Sequence, residues 1–181
     1  MRVFRREGAP SILYASGMPT HAEIHRLAVR LGRHLLARRR RLATAESCTG
    51  GWIAKAVTDV AGSSQWFEAA YVTYSNAAKV QALGVKKRTL ARHGAVSEAV
   101  VREMARGALA ASKADVAVAV SGIAGPDGGT PDKPVGLVWL CWASRRGRSV
   151  SVRTRRVRLR GNRAAVRSRS VALALQGLLA R

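Results

Sequence analysis

A chain of 181 residues, 48% of them hydrophobic, is long enough for one domain around a substantial core, and a 5% aromatic share leaves alanine, valine, leucine and glycine to fill it. Thirty-two lysines and arginines against ten acids give a formal charge of +22, a field that attracts polyanions and phosphorylated metabolites alike. No apolar run reaches membrane-spanning length and no secretory pattern is present. Neither Cys48 nor Cys141 has a metal-ligand spacing, so the sequence predicts a cytoplasmic protein with free thiols, no metal and no cofactor.

Residues 1–20 mix charge with Gly8, Pro10, Gly17 and Pro19 and read as an extension of little structure, within which Met18 is a second candidate start. Residues 21–181 read as a single domain. Ile24, Leu27, Ala28, Leu31 and Leu35 share one helical face, and Arg38 to Arg41 close that helix with cations suited to its dipole. A short strand, Leu42 to Ala45, then leads into Glu46-Ser47-Cys48-Thr49-Gly50-Gly51, followed by Trp52, Ile53, Ala56, Val57 and Val60 at helical spacing. A hydroxyl and a thiol therefore stand side by side where a strand hands over to a helix. Thr49 is the expected N-cap, and the helix N-terminus offers N–H groups to an anion or a developing oxyanion. A capped helix start beside a buried cysteine explains the same residues without chemistry.

After a turn at Ala61 to Ser64, Phe67, Ala69, Tyr71 and Thr73 alternate as in a strand, and Ser75 or Asn76 caps a helix with Lys79 in its first turn. Partial burial there would lower the Lys79 pKa towards a usable base, whereas a surface lysine would keep its charge. Gly84 and Gly94 punctuate two short helices. Ser97 opens a longer one with the stripe Val100, Val101, Met104, Ala105, Ala108 and Leu109. Asp115 to Val120 has the apolar run of a strand covered on both faces, and it ends in the glycine-rich stretch Ser121 to Gly129. Val135 to Ala143 and Ser149 to Leu159 predict an antiparallel hairpin around Gly147. A parity shift between Val152 and Val157 suggests a bulge or an edge strand. Asn162 is placed to cap a last helix with Ala164, Ser168, Val171, Leu175 and Leu178 towards the core. The alternation predicts a three-layer α/β/α sandwich with a mixed, mainly parallel sheet.

Four blocks stand out together: TAESCTGGWIAKAVTDVAGSS at 44–64, YVTYSNAAKVQALGV at 71–85, HGAVSE at 93–98 and SGIAGPDGGTPDKPVG at 121–136. In content and order they resemble the C-terminal domain of the CinA (competence-damage-inducible) family, in its stand-alone bacterial form, across about residues 20–180. That resemblance implies the same three-layer fold and metal-free hydrolysis of nicotinamide mononucleotide to nicotinate mononucleotide and ammonia, in pyridine-nucleotide recycling, by a homodimer. It maps the family's catalytic serine, tyrosine and lysine onto Ser47, Tyr74 and Lys79. It also implies substrate binding by Glu46, Thr49, Gly50, Gly51, Asn76, Ser121, Gly122, Ala124, Gly125, Arg163 and Arg167. Where relatives read Gly-Asp-Arg before the last helix, this chain has Gly161-Asn162-Arg163.

Chemistry then assigns roles: Ser47 attacks, Lys79 and Tyr74 move its proton, the Thr49 to Gly51 amides meet the oxyanion, and Arg163 or Arg167 meets the phosphate. Cys48 competes as nucleophile, since thiols are the better nucleophiles and a helix N-terminus lowers their pKa. A cysteine hydrolase usually needs a histidine, however; His21, His25 and His34 lie on or before the first helix, and His93, beside the HGAVSE block, reads as a turn residue. From Arg145 to Arg169 eleven arginines occur with no acid between them, which predicts weak, salt-sensitive, non-specific binding of nucleic acid and no membrane partner. A non-catalytic module that binds pyridine nucleotides or nucleic acid is the alternative.

Overall fold

Residues 17–180 are described by a computed structural model. The first helix, α1 (His21–Ala37), starts at a capping box: the Thr20 hydroxyl accepts from the Glu23 amide, and the Glu23 carboxylate accepts from the Thr20 amide. Ile24, Ala28, Leu31 and Leu35 are buried as expected, with Leu27 partly so. The expected N-terminal extension lies, for residues 1–16, outside the described residues.

Strand β1 (Leu42–Glu46) leads to α2 (Trp52–Thr58), a 3-10 turn (Ser63–Gln65) and β2 (Phe67–Val72). Helices α3 (Asn76–Leu83), α4 (Lys87–His93) and α5 (Glu98–Ala110) follow, then β3 (Val116–Gly122), β4 (Leu137–Arg146), β5 (Ser149–Arg158) and α6 (Arg163–Leu179). The sheet runs β2-β1-β3-β4-β5, with β2, β1 and β3 parallel and β3, β4 and β5 antiparallel.

Alternation along β1 and β3 divides the core. Leu42, Val116, Val118 and Val120 face a layer built from α1, α2 and α6, while Ala43, Ala45, Ala117 and Ala119 face α3, α4 and α5. The alanines give α5 room to lie close, and its predicted stripe is buried there in full. The result is the expected three-layer sandwich. β1 and β3 are the covered centre, and both deliver their carboxyl ends to the same edge.

One local expectation resolves in favour of its edge-strand alternative and two others change. No bulge interrupts the β4–β5 register; β5 is the edge strand, and the parity shift arises because Val150 and Val152 pack towards α5 whereas Val157 packs on the α6 side. Ala164 is exposed, and Ala165 and Val166 take the buried positions at the start of α6. Ser121 and Gly122 belong to β3 rather than to the loop after it.

Candidate active site

The turn after β1 is held by main chain. The Ser47 amide donates to Val120 O of β3 at 3.0 Å, and the Gly50 amide donates to Ser47 O at 3.0 Å. Thr49 is not the cap of α2. That position belongs to Gly51, whose φ of 88° is a left-handed conformation that glycine adopts without strain. The capping acceptor comes instead from Glu46, fully buried at the end of β1, whose two carboxylate oxygens accept from the Ile53 and Ala54 amides at 3.0 and 2.8 Å. With one amide on each oxygen, Glu46 ties the end of β1 to the first turn of α2 and supports the serine turn from beneath. The Thr49 and Gly51 amides, by contrast, meet no acceptor among the described residues.

Lys79 reaches this turn from α3, which Ser75 caps by accepting from the Ala78 amide. The lysine is completely buried. Its Nζ lies 3.1 Å from Ser47 Oγ, 2.7 Å from Thr73 O and 3.2 Å from Tyr74 O. Two carbonyls can only accept, so each takes an N–H. As an ammonium the lysine would donate to Ser47 Oγ as well; as a neutral amine, with two N–H groups on the carbonyls, it would turn its lone pair to the Ser47 hydroxyl proton. Burial favours that neutral state by pushing the Lys79 pKa below its ordinary 10.5. The surface-lysine reading is therefore set aside.

Cys48 behaves in the opposite way to the expectation drawn from a helix N-terminus. Its side chain sits in the core among the α1, α2 and α6 residues, and desolvation pushes the thiol up to about 12. A thiol held protonated and 5% exposed is a packing group.

The remaining expected residues divide. The first turns of α6 bring Arg163 and Arg167 to the two glycine-rich loops: Arg163 donates to Gly125 O at 2.9 Å and Arg167 to Thr49 O at 2.9 Å, with the Arg167 guanidinium over the Trp52 ring. Asn162 caps α6 by accepting from the Ala165 amide at 3.0 Å, so the departure from Gly-Asp-Arg keeps a working cap. Tyr74 is 62% exposed. Its hydroxyl accepts from Arg163 at 3.1 Å, and what it gives to Lys79 is its backbone carbonyl, not its phenol. Asn76 is the exposed first residue of α3.

Ser121 is buried and its hydroxyl donates to Ala95 O at 2.9 Å, tying β3 to the segment before α5. Gly122, at the end of β3, and Gly125, in the loop after it, each have a packing reason to be small. A Cβ on Gly122 would stand 2.7 Å from Val138 Cγ2, and one on Gly125 would stand 2.6 Å from Val135 Cγ1. Ala124 is likewise buried. Main-chain contributors, Thr73 O above all, escape sequence reasoning because any residue type supplies a carbonyl. No group of three His, Cys, Asp or Glu residues converges among the described residues.

Fold and site together define a three-layer α/β/α domain with a buried serine–lysine pair at the carboxyl ends of its central strands, between two glycine-rich turns. The CinA C-terminal domain model matches residues 24–181, and the chain belongs to that family. It is 57% identical over 159 residues to the nicotinamide-nucleotide amidohydrolase PncC of Escherichia coli (strain K12), spanning 88% of this chain and 94% of that one. The protein of the same name from Pseudomonas putida is 57% identical over 153 residues, 84% of this chain and 93% of that one. Among solved structures, the competence/damage inducible protein CihA from Agrobacterium tumefaciens superposes with a TM-score of 0.83 at 44% identity, covering 91% of this chain and 98% of that one.

Proposed function

We propose that the protein is an amidohydrolase that converts nicotinamide mononucleotide to nicotinate mononucleotide and ammonia, with Ser47 as nucleophile and Lys79 as its base. The observation that carries the proposal is the contact of 3.1 Å between Lys79 Nζ and Ser47 Oγ, both buried, with the other lysine donors fixed on two carbonyls. The names of the close relatives support the substrate.

In this mechanism the Ser47 oxygen attacks the carboxamide carbon as its proton passes to Lys79 Nζ, and the carbonyl oxygen becomes an oxyanion. The Thr49 and Gly51 amides, which meet no acceptor among the described residues, are the donors for that oxyanion; the Gly50 amide is already spent on Ser47 O. Lys79 returns the proton to the amide nitrogen, the C–N bond breaks and ammonia leaves an acyl ester on Ser47. Water, deprotonated by the same amine, then attacks the ester carbon and releases nicotinate mononucleotide and the serine hydroxyl. Arg163 and Arg167 hold the 5′-phosphate at the α6 end of the site. Tyr74 works through its carbonyl on Lys79 and its hydroxyl on Arg163, so it positions these two groups. Action as a dimer, in the cytoplasm and in pyridine-nucleotide recycling, belongs to the same proposal.

Ammonia release from nicotinamide mononucleotide by the purified protein is the test. A folded protein that binds the nucleotide and releases no ammonia would be the non-catalytic module instead.

A further inference from the structure

At the opposite end of the sheet from Ser47, α1, β4, β5 and the end of α6 enclose a cleft of about 490 Å³. Val116 lines it and pairs with Leu42, and Ser47 is five residues beyond Leu42, so the cleft is about 16 Å from the serine turn at the rise of a strand. Its floor is apolar, from Leu35, Val116 and Leu178. Its rim carries Arg38, Arg40 and Arg146. No aspartate or glutamate lines it, and the acid beside it in sequence, Asp115, accepts from the Arg41 amide at 2.8 Å.

None of the three arginines takes part in an ion pair among the described residues, where the acids that do pair engage Arg41, Lys55 and Arg102. Arg40 spends one N–H on Arg145 O at 2.7 Å and keeps the rest of its fork. The negative end of α1 also points here, but its charge of roughly half a unit is outweighed by three guanidiniums. Ser144, buried between floor and rim, adds a hydroxyl. An apolar floor beside three arginines, in a cleft within the usual ligand-site range of about 300–1,000 Å³, suits a planar ring joined to a phosphate.

We propose that this cleft is a second binding site, separate from the serine centre, for a phosphorylated small molecule of nucleotide type, its phosphate on Arg38, Arg40 and Arg146 and its ring on Leu35, Val116 and Leu178. The proposal does not depend on the activity assigned to Ser47. Because the whole chain is strongly cationic, the test must separate a built site from diffuse charge. The full-length protein is titrated with ADP by calorimetry at fixed ionic strength, alongside three variants. Arg38→Gln/Arg146→Gln, both exposed positions, should weaken binding at least tenfold and leave ammonia release from nicotinamide mononucleotide unchanged. Arg155→Gln/Arg156→Gln removes the same charge from two exposed positions of β5 outside the cleft and should change ADP affinity less than threefold. Arg163→Gln at the serine centre should keep the ADP site. Absence of ADP binding, equal losses from the two double variants, or loss confined to Arg163→Gln would each overturn the proposal.

Discussion

Replacing Glu46 by glutamine separates support of the turn from contact with substrate. Both carboxylate oxygens accept from α2 amides, at 3.0 and 2.8 Å, in a fully buried position. Glutamine keeps one acceptor and turns an NH₂ towards the other amide, so one charge-assisted hydrogen bond of about 1.5–3 kcal/mol is lost together with the favourable charge at the helix N-terminus. The expected destabilisation is about 2–4 kcal/mol, which for a domain of this size lowers Tm by on the order of 10 °C. Thermal unfolding followed by circular dichroism measures it, and kinetics at a temperature where both proteins are folded should show KM for nicotinamide mononucleotide within about threefold of wild type. An unchanged Tm with a KM raised tenfold or more would refute this and return Glu46 to the substrate.

The other predictions concern the proton path and its neighbours. Burial depresses the Lys79 pKa, so if the neutral amine is the active form kcat/KM should rise with pH through that lowered value and level off below 10.5, the ordinary lysine value; a rise that continues to 10.5 would show an ordinary lysine. Lys79→Arg, whose guanidinium stays protonated and has no lone pair to accept the Ser47 proton, should lose activity by about a hundredfold or more, as should Lys79→Ala. Cys48→Ala should keep most of the activity, and alkylation of the wild-type thiol at neutral pH should be slow, since the thiol is held protonated up to about 12. Tyr74→Phe retains the carbonyl on Lys79 and loses only the hydroxyl facing Arg163, so its cost should be about tenfold or less and fall mainly on KM; a loss of a hundredfold or more in kcat would put the phenol in the proton path.

Much of this was legible because it is written in side-chain periodicity. The α5 stripe, the covered β3 strand, the Ser75, Ser97 and Asn162 caps and the Gly84 and Gly94 stops all follow from hydropathy spacing and cap chemistry. The capping box at Thr20 and Glu23 was equally readable, and it starts the domain within the stretch assigned to an unstructured extension. What was not legible depends on contacts between distant segments. Whether Cys48 feels a helix dipole or a dry core, and whether Lys79 is solvated or sealed against Ser47, is decided by how α1, α3 and α6 close over the sheet. The arginine run is similar. Read linearly it is one basic segment, yet Arg163 and Arg167 turn to the serine site, Arg153 lies over the Trp142 ring and Arg145 donates to Leu109 O. At Gly122 and Gly125 a side chain would meet Val138 and Val135, a packing reason for glycine that spacing alone does not reveal.

The central claim is that Ser47, deprotonated by Lys79, carries out amide hydrolysis, and it is tested most directly by ammonia release from nicotinamide mononucleotide in wild-type and Ser47→Ala proteins matched for Tm. Because Ser47 Oγ is the one side-chain partner of the buried Lys79 amine among the described residues, Ser47→Ala is predicted to cut kcat by about a thousandfold or more, with intact-mass analysis of quenched wild-type turnover showing an acyl adduct that the variant lacks. A folded Ser47→Ala protein that releases ammonia at the wild-type rate would contradict it.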